Sequence, residues 1–513
     1  MRAARRSQAN AISSKQKESH QMKASPKTKR SRTLAALLVS AAALLGLGAA
    51  AEAATAAPKW DANVYWGPTN FQPGERGAFR FEIGNVGDSA GEGGWPKLEV
   101  DLPEGFEFDE YAAWEGIWEC AAADTPETVT CEAPLLAYFE EFWPKPNTLL
   151  GVGNPNWPIF TVNIDDNAPT GPQDLVVRIS EGGGELATIT EQVTVGGSAA
   201  DFGIRAGSLE AEALDEDLNP YTQAGGHPFE AVTSYSPTMR FADPALPDSQ
   251  EGLLGAILPV ASVKDVVLDL PVGFTGDPLA APTCSKSAVN AQECPPSTQV
   301  GTAETNNVAG AEIQVAAVYN VAPSRGAPAE FMFRPQAGGG VLLKPVLRSD
   351  LGWGLSVQTK GITEINPLFG VEVRLWGVPA DPAHDQQRCE NPSLVGLRCA
   401  GYTATGNPSE VDPEFVIPHS STAPRRALLT LPTECDGQLE VSTARLSSWE
   451  KPGPYTPAGD PDLSSPNWIS ASASAPPITG CENLDFSPTL KARPTTNAAD
   501  SGHSSGSLVS RFA

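Results

Sequence analysis

Basic residues are scarce in this sequence relative to acidic ones. It has 35 Lys and Arg against 61 Asp and Glu, which gives a formal net charge of −26 at pH 7. A nucleic-acid groove must neutralise phosphates with Lys and Arg, so this balance argues against a nucleic-acid-binding protein. We interpret the excess of acid as a solvated surface that keeps the protein soluble.

Motifs for metal binding and redox chemistry are also missing. The chain has five histidines and no H-E-x-x-H, and none of its eight cysteines forms a C-x-x-C. Neither a zinc knuckle nor a thioredoxin-type redox site is therefore supported. Asp215-x-Asp217-x-Asn219 matches the first three oxygen-ligand positions of a calcium loop, but Pro220 and Gly226 stand where that loop requires Gly and Glu.

Two isolated segments could carry chemistry. Residues 502–506 (GHSSG) match the G-x-S-x-G nucleophile elbow, but they lie in a low-complexity tail without the required strand and helix. His384, between Asp381 and Asp385, could join a metal or acid–base site, although a loop histidine beside Asp and Pro more often stabilises a turn. We predict no catalytic residue, metal site or cofactor, with calcium bound at an acidic turn such as 165–167 as the alternative.

One apolar run approaches the length of a membrane span. Residues 34–51 follow a segment with ten Lys or Arg and end on Ala51-Glu52-Ala53, a small-x-small signal-peptidase pattern. We predict a signal peptide in residues 1–53 and a mature protein that begins near Ala54. An uncleaved transmembrane anchor at 34–53 is the alternative, because such a run just spans a bilayer. Either way the rest is exported, which predicts a secreted or cell-surface protein.

All eight cysteines lie in the part predicted to be exported. Disulfides persist in such oxidising compartments. The number is even, and three neighbouring pairs have 9 or 10 residues between their members. We predict pairing in sequence order: Cys120–Cys131, Cys284–Cys294, Cys389–Cys399 and Cys435–Cys481.

The hydrophobic pattern is that of an all-β protein. The 48 Gly and 47 Pro interrupt long helices. Apolar and polar residues alternate in several segments, for example 79–83, 98–102, 160–164 and 371–375. Such strands direct one face to a core and the other to water. We predict an all-β fold of tandem Ig-like β-sandwich domains with disulfide links.

An internal repeat indicates the domain organisation. Residues 101–106 (DLPEGF) recur as 269–274 (DLPVGF), each followed by a cysteine pair, with a degenerate copy at 429–432. The Gly-rich segment 196–200 is a plausible linker. We predict an Ig-like sandwich at 58–197, a second β-rich domain at 202–385, a third β-rich region at 386–487 and a disordered tail at 488–513.

Two resemblances agree with this organisation. Residues 60–197 resemble the Ig-like repeat domain of bacterial surface proteins, through 85–88 (NVGD), 101–106 and the first cysteine pair. Residues 202–490 resemble uncharacterised secreted β-rich surface proteins of soil actinobacteria. The segments that carry this likeness are 223–228 (QAGGHP), 269–274, 294–295, 299–301, 376–385 (WGVPADPAHD) and 431–435. The resemblances imply a location and a fold, and no activity.

Aromatic residues are concentrated in the first domain, which holds seven of the 11 tryptophans. Exposed rings on a sandwich face can stack on sugars, and Trp114, Trp118 and Trp143 are the candidates for that role. The interpretation that we favour is that these rings fill the core and cover long loops. We predict an exported, non-catalytic structural or adhesive protein. A carbohydrate-binding module is the alternative, and a secreted hydrolase a remote one. The expected partners are cell-wall or extracellular glycans or other surface proteins, with membrane contact only through the N-terminal segment.

Overall fold

The structure is a computed structural model. It describes residues 60–85, 96–111, 118–132, 148–150, 158–181, 184–242, 256–307, 313–335, 339–348, 354–364, 367–390, 398–399, 420–484, 490–494 and 508–512. The predicted signal segment 1–53, the G-x-S-x-G match, Trp114 and Trp143 lie outside these ranges. No helix within them is long and apolar enough to cross a membrane.

The first unit is a sandwich of two antiparallel five-stranded sheets. Its strands are β1 (Trp60–Trp66), β2 (Arg76–Asn85), β3 (Lys97–Asp101), β4 (Phe106–Tyr111), β5 (Glu119–Ala122), β6 (Thr128–Glu132), β7 (Thr148–Leu150), β8 (Ile159–Ile164), β9 (Gly171–Glu181) and β10 (Gly184–Val195). One sheet has the order β1-β2-β8-β4, with β7 also paired to β2, and the other has the order β10-β9-β3-β6-β5.

Phenylalanines fill the space between these two sheets. The rings of Phe79, Phe106 and Phe160 are fully buried. The centroid of the Phe79 ring lies 6.3 Å from that of Phe106 and 5.8 Å from that of Phe160. From the facing sheet, Leu98 and Val100 of β3 are fully buried, while Lys97, the first residue of that strand, is exposed. The alternation of the sequence therefore sets the inner face of each sheet.

The second unit is built on a sheet of eleven strands. The strands of this unit are β11 (Glu210–Leu214), β12 (Glu230–Tyr235), β13 (Met239–Ala242), β14 (Ala256–Pro259), β15 (Val263–Asp269), β16 (Thr275–Gly276), β17 (Gln299–Asn307), β18 (Ile313–Val321), β19 (Glu330–Phe333), β20 (Val341–Leu347), β21 (Leu355–Thr359), β22 (Leu368–Trp376), β23 (Cys389–Glu390), β24 (Arg398–Cys399), β25 (Leu429–Thr430), β26 (Glu440–Ser448) and β27 (Ile469–Ala475). Among its described residues, the helical segments are α1 (Lys286–Ala291) and the 3₁₀ turns Pro296–Thr298, Pro382–Gln387 and Cys481–Asn483.

This large sheet curls into a near-barrel. Its order is β11-β12-β22-β17-β18-β19-β20-β21-β15-β26-β27, and the two edge strands, β11 and β27, lie against each other. Just beyond them, the Thr479 N–H donates to the Thr222 carbonyl and the Ala224 N–H donates to the Thr479 carbonyl, both at 2.8 Å. The predicted fold class, all-β with sandwich packing and disulfide links, is confirmed.

The structure differs from the predicted boundaries in two places. Strand β26 pairs with β15, so residues on both sides of the boundary predicted at 385 contribute to one sheet. Strands β28 (Leu490–Pro494) and β29 (Leu508–Phe512) pair antiparallel, so the tail predicted to be disordered contains a hairpin. Each tail strand is a short run with apolar residues at its ends, a pattern too brief to distinguish from loop in the sequence.

Three disulfides join the pairs predicted in sequence order. Cys120–Cys131 crosses from β5 to β6, Cys284–Cys294 brackets α1, and Cys435–Cys481 links the segment after β25 to the segment after β27. Cys389 of β23 stands opposite Cys399 of β24, but the side chains of that fourth predicted pair lie outside the described residues.

The repeated DLPxGF segment forms the same turn in both units. Gly105 and Gly273 have φ of +82° and +87°, a region that favours glycine. In each copy the strand before the turn ends in an aspartate paired with an arginine of a neighbouring strand: Asp101 with Arg178, and Asp269 with Arg445. The repeat is thus a strand terminator used in two different sheets.

The hairpin of strands β13 and β14 in the second unit contacts the first unit. The Thr69 N–H donates to the Met239 carbonyl at 3.0 Å, and the Met239 N–H donates to the Thr69 hydroxyl at 2.8 Å. Beside this contact, Ala78 of β2 packs with apolar residues of β13, β14 and β22, including Ile257 and Phe369. The sandwich and the near-barrel therefore share a small apolar interface.

Candidate functional site

The tryptophan that the structure describes among the predicted stacking residues is buried. Trp118 is 5% exposed and packs in the sandwich core beside Cys120. A ring this deeply buried offers no face to a sugar, so Trp118 packs in the core, which is the interpretation that the sequence favours over stacking. Trp60 is likewise buried, at 3%.

His384 is locked between two aromatic rings. It is 1% exposed, and its ring stacks on Phe229 and Trp376 with centroids 4.2 and 4.6 Å away. Its Nδ1 lies 2.9 Å from the Gln387 side-chain oxygen. Burial lowers the pKa of His384 to about 4, with a further contribution from nearby Arg388, so the imidazole is neutral at pH 7. This geometry fits a structural histidine, which is the role that the sequence favours over a metal or acid–base site.

Arg388 completes the same buried arrangement. Its guanidinium is fully buried, lies 5.0 Å from the Trp376 ring centroid and donates to Asp385 at 3.1 Å. It also donates to the carbonyl oxygens of Pro296 and Pro379. The segment 376–388 therefore ties the end of β22 to the turn that precedes β17, which is a structural task.

The acidic turns satisfy their own backbones. The Asp215 carboxylate accepts from the Asp217 and Asn219 N–H groups at 3.0 and 2.8 Å, and Asp165 accepts from Asn167 at 2.7 Å. Such bonds are the ordinary Asx-turn use of aspartate. Within the described residues, no three His, Cys, Asp or Glu side chains lie close enough together to hold a metal ion.

The most distinctive concave feature of the described residues is a cavity inside the near-barrel, which sequence reasoning missed. Its volume is about 260 Å³. Inward-facing side chains of seven strands form most of its wall: Ala231, Thr233 and Tyr235 of β12; Val266 and Leu268 of β15; Thr305 of β17; Phe331 and Phe333 of β19; Val341, Leu343 and Pro345 of β20; Leu355, Val357 and Thr359 of β21; and Leu368, Val371, Val373 and Leu375 of β22. Phe274, Leu428 and Leu429 extend the wall from the small β16–β25 sheet and its approach.

The wall of this cavity, which we call the barrel cavity, is apolar and uncharged. None of the described residues that line it is Asp, Glu, Lys, Arg or His. Its polar groups are hydroxyls, among them those of Thr305, Thr359 and Tyr235. Thr305 is 4% exposed, and its hydroxyl has no hydrogen-bond partner. Burial raises the pKa of Tyr235 well above its ordinary value, so its phenol stays neutral.

The sequence predicts which residues of these strands face inward, but it does not predict that a cavity lies between them. Alternation such as Val371, Val373 and Leu375 is the same for a strand that faces a packed core and for one that faces a cavity. The number of strands in the sheet decides whether the interior can be filled. That number follows from pairings between strands far apart in the sequence, such as β15 with β26. A count of the apolar alternating segments from 230 to 448 is the signal that could have suggested a wide barrel.

Comparisons with known proteins find weak likenesses in structure. No protein-family model and no curated protein matches the sequence. Among solved structures, a C-terminal domain of the AgI/II polypeptide BspA of Streptococcus agalactiae is 7% identical; 82% of this chain and 100% of that chain are covered, with a TM-score of 0.19. A partial N-terminal region of enterococcal surface protein is 9% identical over 82% of this chain and 94% of that chain, with a TM-score of 0.19. The C-terminal domain of the antigen I/II-family protein AspA of Streptococcus pyogenes is 6% identical over 82% and 99%, with a TM-score of 0.18. Scores of this size do not establish a common fold.

Proposed function

We propose that this chain is an exported, non-catalytic protein of the cell surface or the extracellular space with a structural or adhesive role. The observation that supports this best is that both units contain disulfides, Cys120–Cys131 in the sandwich and Cys284–Cys294 and Cys435–Cys481 in the near-barrel. Disulfides persist outside the cytosol and are rare within it. The basic and apolar pattern of residues 1–53 supplies a matching export signal.

The non-catalytic part of the proposal rests on how candidate groups are used. His384 is buried between two rings, and the Asp215 carboxylate caps its own turn. A general acid or base must instead reach the proton that it transfers. As partners we propose extracellular or cell-wall glycans or other surface proteins, with membrane contact through residues 1–53 alone.

Export is tested on intact cells that express the full chain. We expect added protease to digest the β units, and titration of the denatured, unreduced protein to find almost no free thiol. A matched chain that lacks residues 2–53 should stay inside, protected from protease and with titratable thiols. Protection of the full chain, or several free thiols in it, would contradict the proposal. N-terminal sequencing of the exported protein then distinguishes a cleaved signal, with a start near Ala54, from an anchor.

A glycan array with residues 54–513 separates the adhesive proposal from the carbohydrate-binding alternative. Trp114→Ala and Trp143→Ala are the informative variants. Trp118→Ala controls for loss of fold because that ring lies in the core. Glycan binding that disappears in a folded Trp114 or Trp143 variant would favour the carbohydrate-binding alternative over a purely structural role.

A further inference from the structure

We propose that the barrel cavity is a binding site for a small, uncharged, apolar molecule with a single hydroxyl group, of the class of medium-chain aliphatic alcohols. This goes beyond the proposed surface role, since it assigns a small-molecule ligand to the near-barrel. The near-barrel sheet is wide, with eleven strands. A barrel of about eight strands is just wide enough for side chains to fill, and wider barrels enclose ligand cavities.

The size of the cavity distinguishes it from a packing defect. Protein interiors contain few voids larger than a water molecule. The barrel cavity, at about 260 Å³, has roughly nine times the ~30 Å³ that one water occupies in the liquid. This volume lies just below the usual range of ligand pockets, which is roughly 300–1,000 Å³, so the site suits a small ligand.

The volume also limits the size of the ligand. An apolar cavity of about 150 Å³ accommodates benzene, which has six carbon atoms. By the same ratio, 260 Å³ accommodates a molecule of about ten non-hydrogen atoms. A membrane phospholipid or a long-chain acyl group is far larger than this, so the site fits a short, free molecule.

The chemistry of the wall selects an uncharged ligand. No described residue of the wall carries a charge, and the side chains from Val266, Phe331, Val357 and Val373 present hydrocarbon. An ionised carboxylate placed there would lose its hydration without gaining a cationic partner. The wall therefore disfavours an ionised medium-chain acid at neutral pH relative to an alcohol of the same length.

One polar group gives the ligand an anchor. The Thr305 hydroxyl is buried, lacks a hydrogen-bond partner and belongs to a side chain of the cavity wall. A buried polar group without a partner carries a desolvation penalty that a bound hydroxyl can remove. Thr302, on the same strand, is not part of the wall and provides a matched control.

The experiment measures binding of 1-octanol and of octanoate to the exported chain, residues 54–513, by calorimetry and by the rise in melting temperature. We expect saturable one-to-one binding of 1-octanol, and at least tenfold weaker binding of octanoate at pH 7. Thr305→Val should weaken 1-octanol binding about fivefold and leave the effect of n-octane on the melting temperature unchanged. Thr302→Val should change neither.

Two variants that fill the cavity locate the site. Val373→Phe and Ala231→Leu add volume to the wall, so each should reduce 1-octanol affinity at least tenfold while the melting temperature of the free protein stays equal or rises. Two variants are used because one of them could overpack the barrel. No saturable binding by the folded protein, or binding that both folded variants retain, would overturn the proposal. Octanoate binding as tight as octanol binding would overturn the assignment of an uncharged ligand.

Discussion

Single residues show how far the environment overrides the chemistry that a side chain suggests in sequence. His384 is the one described histidine that combines nearly complete burial with two stacked rings. Its surroundings include the charged groups Asp381, Asp385 and Arg388, yet burial is the largest cause of its lowered pKa. The folded state therefore favours the neutral imidazole over the protonated one.

This preference predicts a pH dependence of stability. The unfolded chain binds a proton at His384 near pH 6.5, whereas the folded chain binds it near pH 4. The contribution of His384 to the free energy of unfolding is fully present above about pH 6.5 and is lost as the pH falls toward 4. Between these values the free energy of unfolding falls by about 1.4 kcal/mol per pH unit because of this one group. Denaturant unfolding between pH 7 and pH 4 checks it.

His384→Gln provides the comparison for that measurement. The variant should be less stable at pH 7, because it leaves the Phe229–Trp376 slot imperfectly filled, and its stability should vary less between pH 6.5 and 4. Equal slopes for the two proteins would show that His384 does not control this window. Asp381, whose pKa is lowered because hydrogen bonds from Ala383 and Arg425 outweigh the effect of burial, loses its contribution at lower pH.

At the scale of elements, the disulfides act within units rather than between them. Cys120–Cys131 lies wholly in the sandwich, across paired strands β5 and β6. Cys435–Cys481 closes a loop with a sequence separation of 46 that contains β26 and β27, the last two strands of the near-barrel. Each link should constrain the unfolded state of its own unit only.

Removing one disulfide should therefore destabilise one unit. We expect Cys435→Ser with Cys481→Ser to lower the unfolding free energy of the near-barrel by about 4 kcal/mol, and Cys120→Ala with Cys131→Ala to lower that of the sandwich by about 3 kcal/mol. Calorimetric melting of each double variant measures this, and each serves as control for the other. A shift of both transitions by either variant would contradict independent units.

The sequence predicts elements better than it predicts their neighbours. Alternation at 98–102 and 371–375 correctly indicates β3 and β22, and cysteine spacing correctly pairs Cys120 with Cys131. Core packing is the interpretation that the sequence favours for the tryptophans, and Trp118 agrees with it. Which individual ring is buried was not predictable, because an aromatic residue beside a strand is compatible with either side of a sheet. The pairing of β15 with β26 was not predictable either, because a period of two indicates a face and not a partner.

At the scale of the whole molecule, the two units close in different ways. The sandwich core is built entirely from residues between Trp60 and Val195. The near-barrel instead draws on β11 at one end of its sequence and β27 at the other. Strand β15 is paired on both sides, to β21 and β26, and Leu446 of β26 is fully buried.

Fragments test this difference. We expect 58–197 to melt cooperatively on its own, 202–487 to do the same, and 202–385 to show no cooperative melt. The shorter of the two near-barrel fragments loses Arg445, the partner of Asp269, and leaves the backbone N–H and C=O groups on one edge of β15 unpaired. Circular dichroism during heating measures all three. A cooperative melt of 202–385 would restore the boundary at 385 that the sequence suggested.

The closure of the near-barrel by its last strands has a consequence for the order of events during biosynthesis. A chain emerges from its N-terminus, so every strand of the sandwich is available once β10 has appeared. The edge of β15 must wait for β26, and β11 for β27, across most of the remaining sequence. Contacts between residues so far apart form slowly because long loops must close first. The first unit can therefore be complete while the second is still open, with its apolar interior exposed until residue 475 has emerged.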